Sequence, residues 1–157
     1  MKPPDALHEH FIRAAQRFPD NVAVIEPGHG TITYRDLATL SDRLRDRLHA
    51  LGVRPGDRVG IMLPNVPYFP AAYFGALRAG AAIVPMNVLL KEREVAYYLG
   101  DSGAKVLFAW HEFADAAHAG ADQTGAECVL VEPGDFDLLV GPNSRTKNLL
   151  RARFRVA

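Results

Sequence analysis

The chain has 157 residues, of which 48% are hydrophobic and 23% charged, within the range of ordinary soluble globular domains and long enough to bury a core without disulfides or structural metal. One cysteine excludes an internal disulfide framework, and no apolar run approaches the roughly 20 residues of a membrane-spanning helix. The formal charge is zero, yet Arg145, Lys147, Arg151, Arg153 and Arg155 follow Gly141 with no acid among them, leaving 13 basic against 18 acidic side chains in residues 1–141.

The opening Met-Lys-Pro-Pro-Asp has no basic segment followed by an apolar core, so no secretory signal is read and a cytoplasmic location is expected. Leu7 to Phe18 places Leu7, Phe11, Ala14, Ala15 and Phe18 on one helical face, with Asp5 as a candidate cap and Pro19 as terminator. Val22–Ile25 and Thr31–Thr33 are short β-prone runs around Pro27-Gly28-His29-Gly30, the pattern of a hairpin. Thr33 and Asp36 approximate a capping box that opens a helix to about Leu51, with Leu37, Leu40, Leu44, Leu48 and Leu51 as its apolar stripe. Arg43, Arg45, Asp46 and Arg47 between them read as a solvated face, because acids interleave and no aromatic accompanies them. Gly52 and Val53 have the composition of a Schellman stop.

The period then changes. Arg58–Leu63 is a short, nearly continuous apolar run, as expected of a buried parallel strand, and Pro64-Asn65 closes it. A helix is expected over Val66–Arg78, a strand over Ala82–Val84, a helix over Lys91–Leu99, a strand over Lys105–Trp110, a helix over Glu112–Gln123 and a strand over Cys128–Val131. Strands alternating with helices through short connections predict an α/β fold: a partial doubly wound parallel sheet with flanking helices, preceded by a helix and a β-hairpin. Residues 1–141 are expected to form one subdomain, and 142–157 a basic, disordered tail.

Chemistry-bearing patterns are sparse. No glycine-rich phosphate loop of either common spacing occurs, and Gly28-His29-Gly30 sits inside the expected hairpin rather than between a strand and a helix. His8-Glu9-His10 and His111-Glu112 with His118 lack the i, i+4 pairing of a zinc helix, and His8 and His10 would point about 200° apart on a helix. Ser41, Ser102 and Ser144 lie outside any nucleophile elbow, and Asp101-Ser102-Gly103 reads as a helix-to-strand turn. Cys128 sits in an apolar run and is expected to act as a small hydrophobe. Ligands of open α/β sheets bind beyond the carboxyl ends of strands, which singles out Asn65 and Asn87 as candidate substrate-binding residues. Both also have a structural reading, Asn65 as the cap of the following helix and Asn87 beside a strand terminator, Pro85. No catalytic, cofactor-binding or metal-ligating residue is assigned.

Four stretches in this order carry a resemblance: Thr31-Ile-Thr-Tyr34-Arg-Asp-Leu37, Leu51-Gly-Val-Arg-Pro-Gly-Asp-Arg-Val59, Leu63-Pro-Asn65, and Gly75-Ala-Leu-Arg-Ala-Gly80 through Val84-Pro-Met-Asn87. With Glu92-Arg-Glu94 and Asp101–Leu107 in register, the sequence over about residues 6–140 resembles the amino-terminal region of the adenylate-forming acyl-CoA synthetases. The resemblance implies an ATP-dependent fatty-acid–CoA ligase that uses Mg2+, forms an acyl-adenylate and passes the acyl group to coenzyme A. It also implies that the phosphate loop, the ribose-binding aspartate and the catalytic lysine of that family lie outside these residues, so this chain alone is expected to be catalytically incomplete. Residues 142–157 are expected to be foreign to that family, the product of a shifted frame or truncation, which the encoding DNA would reveal. The alternative is a non-catalytic module that pairs with another ligase chain or places its basic tail on an acidic surface, without specific nucleic-acid recognition.

Overall fold

The computed structural model describes residues 6–27 and 30–132. Asp5, Gly28, His29 and the whole of 142–157, on which several expectations rest, lie outside the described residues. The chain divides into two compact units, the first comprising the residues up to Asp57 together with Asn65–Ile83, the second Arg58–Pro64 with the described residues from Val84 onward.

In the first unit, α1 (Leu7–Arg17) buries Phe11 and Ala15, and the Phe11 ring stacks on Phe74 with centroids 4.1 Å apart. Leu7 and Phe18, assigned to the same face by their spacing, remain exposed. Strands β1 (Val22–Glu26) and β2 (Gly30–Thr33) form the expected antiparallel hairpin, with Val24 opposite Ile32 and Ile25 opposite Thr31. Thr33 caps α2 (Tyr34–Ala50) by accepting from the Asp36 amide. Asp36 differs from the glutamate of a full capping box: its shorter carboxylate accepts a hydrogen bond from the Thr33 hydroxyl at 2.7 Å. The far end of α2 is a Schellman stop, with the Val53 amide donating to Leu48 and the Gly52 amide to His49, Gly52 taking φ +83°. Leu51 is the cap residue rather than a member of the helical stripe.

Helix α3 (Tyr68–Arg78) lies against α2 at a point where a Cβ on Gly75 would fall 2.7 Å from the Leu44 Cβ. The Arg78 guanidinium locks the pair, donating to the buried Ser41 hydroxyl at 2.7 Å and to Asp42. Asp42 also accepts from Arg45, which reaches Asp46 as well, so the charged stretch of α2 is a partly exposed network of ion pairs. Arg43 and Asp46 are exposed, whereas Arg45 and Arg47 are half-buried against the helix surface.

The second unit is organised by a parallel sheet of order β4-β3-β5-β6, formed by β3 (Arg58–Met62), β4 (Ala82–Pro85), β5 (Val106–Trp110) and β6 (Glu127–Val131). Val59 pairs with Val106 and Ala109 with Leu130, and the β4 end is held where the Met86 amide donates to the Ile61 carbonyl. Every residue of β5 is buried, which explains its unbroken apolar run. Helices α4 (Glu92–Ser102) and α5 (Ala114–Thr124) build a layer with Met62, Leu107 and Ala109 around Val95, Leu99, Ala117 and Ala121. A Cβ on Gly60 would lie 2.9 Å from Leu107 Cδ1, so the missing side chain leaves room for that layer. Arg58 fastens β3 to the end of α4 by donating to the carbonyls of Ser102 and Gly103.

Some boundaries shift. Asp101 and Ser102 belong to the last turn of α4, and only Gly103, at φ +62°, makes the expected turn. The helix expected from Glu112 begins instead as a single 3-10 turn, His111–Phe113, before α5 starts at Ala114. No helix among the described residues is long and apolar enough to cross a membrane.

Candidate functional site

A parallel sheet directs its chemistry to the carboxyl ends of its strands, where the next helix N-terminus offers free amides to an anion. The three helices that follow strands here are poorly suited to phosphate. After β3, the turn runs Leu63-Pro64-Asn65-Val66-Pro67 into α3, whose first turn contains Pro70. Proline has no amide hydrogen, and the Phe69 amide is already spent on the Val66 carbonyl at 2.9 Å, so few donors face outward. At the start of α4 the Lys91 amide donates to the Glu94 carboxylate at 2.8 Å, and Glu92 and Glu94 set negative charge where a phosphate would sit. Helix α5 likewise carries Asp115 in its first turn, with Glu112 just before it. Among the described residues no group of three or more His, Cys, Asp or Glu side chains could hold a metal ion. These donor sets do not fit Mg2+-nucleotide.

The two asparagines singled out from sequence have different surroundings. Asn87 folds its side chain back, its Oδ1 accepting from the Leu89 amide at 2.9 Å while its carbonyl accepts from the Leu90 amide. That is an Asx turn, and it gives Asn87 a structural task whatever else it touches. Asn65 does not cap α3, contrary to the structural reading of the sequence: the cap position is Pro67, already at φ −56° and ψ −23°, and no side chain bonds to the free amides. The expected start at Val66 moves to Tyr68 for the same reason, since Pro67 supplies a helical φ without a capping side chain.

Asn65 instead lines a hollow of about 220 Å3 in the first unit, together with Val24, Ile25 and Pro27 of the hairpin and Phe69 and Pro70 of α3. Its amide is exposed and has no hydrogen-bond partner among the described residues, and Glu26 is the only charged residue of the lining. A small apolar hollow with one amide at its rim suits recognition by shape and a peptide-like hydrogen bond; it lacks any acid, base or nucleophile pair for covalent chemistry. Neither exposure of Ile25 nor the hollow itself was signalled by the sequence, where Val-Ile in a short strand indicates a half-buried pair.

The remaining candidates resolve into structure. Cys128 is half-buried in β6, and burial, reinforced by Glu127 and Asp122, pushes its thiol up to about 12, away from a reactive thiolate. Ser102 donates to the Tyr98 carbonyl at 2.6 Å inside α4. His10 pairs with Arg13, and His111 packs its ring 5.0 Å from Trp110.

Comparison with known proteins gives a consistent picture. The sequence profile of the family described as AMP-binding enzyme matches residues 11–149, which carries the likeness past Gly141 into the basic stretch. A long-chain-fatty-acid–CoA ligase of Salmonella typhimurium is 35% identical over 127 residues, covering 80% of this chain and 22% of the relative. A long-chain-fatty-acid–CoA ligase of Mycobacterium tuberculosis is 39% identical over 107 residues, covering 66% of this chain and 21% of that protein. Among solved structures, a benzoate CoA ligase from Burkholderia xenovorans superposes with a TM-score of 0.72 at 26% identity, over 80% of this chain and 25% of the ligase. The chain therefore spans about a fifth to a quarter of the length of these relatives.

Proposed function

Because the chain belongs to the AMP-binding enzyme family, we propose that it is the amino-terminal scaffold of an ATP-dependent acyl-CoA ligase, one that joins a carboxylic acid to AMP and then to coenzyme A. The single observation that supports this reading best is the 35% identity over 127 residues to a fatty-acid–CoA ligase, joined to a fold shared with a benzoate–CoA ligase. Fatty acids and benzoate have little in common beyond the carboxylate. A region matched in ligases of both kinds is one that frames the enzyme, and the choice of acid falls to residues elsewhere.

The same reading assigns ATP, Mg2+ and coenzyme A to the complete ligase and not to these 157 residues. Catalysis of adenylate formation requires donors and cations already placed around the transferring phosphorus. The strand ends here offer prolines, a filled capping box and acidic first turns in those places. The Salmonella typhimurium relative is a long-chain-fatty-acid ligase, and a fatty acid is the substrate class this reading proposes for the complete enzyme, together with a cytoplasmic location.

The purified chain is expected to show no acid-dependent exchange of labelled pyrophosphate into ATP, whether offered fatty or aromatic acids, beside a full-length ligase that exchanges readily. Acid-dependent exchange by the chain alone would relocate phosphate chemistry into residues assigned here to scaffold.

A further inference from the structure

We draw no further inference here: the strongest candidate, the cleft of about 300 Å3 among α1, α2 and α3 of the first unit, is lined by charged side chains that are already paired within that unit, Arg35 with Asp20 and Arg78 with Asp42, and nothing in the structure shows what fills it.

Discussion

Leu107→Ala is expected to lower the unfolding free energy of the chain by about 2–5 kcal/mol. Leu107 is fully buried in β5, bonded between β3 and β6, and sits in the layer with Met62, Val95, Leu99 and Ala117. Its Cδ1 fills the space left by Gly60, 2.9 Å from where that residue's Cβ would be. A strand inside a parallel sheet is poorly placed to collapse into the void, so the transfer loss and the cavity term add. Domains are stable by only about 5–15 kcal/mol, so a loss of this size is a large share of the total. Urea denaturation followed by tryptophan fluorescence measures the shift through Trp110, at the end of the same strand. A loss under about 1 kcal/mol would mean that the α4–α5 layer is not packed on the sheet as described.

Gly120→Ala is expected to destabilise by about 1–3 kcal/mol although alanine is the better helix former. In an exposed helix the substitution would gain about 1 kcal/mol from propensity alone. Gly120 is buried in α5, and a Cβ there would meet Val95 Cβ and Cγ1 at 2.6 Å and the Ala96 amide nitrogen at 2.9 Å. Those atoms belong to α4 itself and include backbone, so relief requires the two helices to separate. The sign of the effect is the informative part. Stabilisation by alanine would show that α4 and α5 lie further apart than their contact at Gly120 requires.

Much of the architecture was legible because the fold obeys one-dimensional rules where both faces of an element are specified. The apolar runs at Arg58–Met62 and Val106–Trp110 lie in central strands and are buried on both sides, so their lack of alternation identified them as parallel strands. Gly52 and Val53 announced their stop because the left-handed residue and its apolar neighbour are local requirements. The start of α3 was misplaced because an asparagine before a helix resembles a cap, whereas the choice between Asn65 and Pro67 depends on backbone angles that composition does not reveal. The 3-10 turn at His111–Phe113 was missed for a similar reason, since its residues suit either helical period.

The site was less legible than the fold. Strand-end geometry pointed to Asn65 and Asn87, but only coordinates distinguish an amide folded onto Leu89 from one left open beside Ile25. Periodicity reports that a side chain is apolar, not whether anything in the same chain covers it. Uncovered apolar residues such as Ile25 at 70% exposure are therefore invisible until the structure is in hand. The family likeness, in contrast, was readable from short stretches in order, because turns such as Arg54-Pro55-Gly56-Asp57 combine several backbone constraints at once. The Asp57 carboxylate closes that turn by accepting from the Arg54 amide at 2.7 Å.

If these residues supply scaffold common to ligases of different acids, exchanging them between ligases leaves the choice of acid untouched. The decisive measurement replaces the matched region of the Salmonella typhimurium fatty-acid ligase with this chain and follows acyl-CoA formation across long-chain and aromatic acids. A chimera which melts cooperatively is expected to form long-chain acyl-CoA and to retain the recipient's order of preference among acids. A folded chimera that is inactive, or whose preference moves to another class of acid, would contradict it.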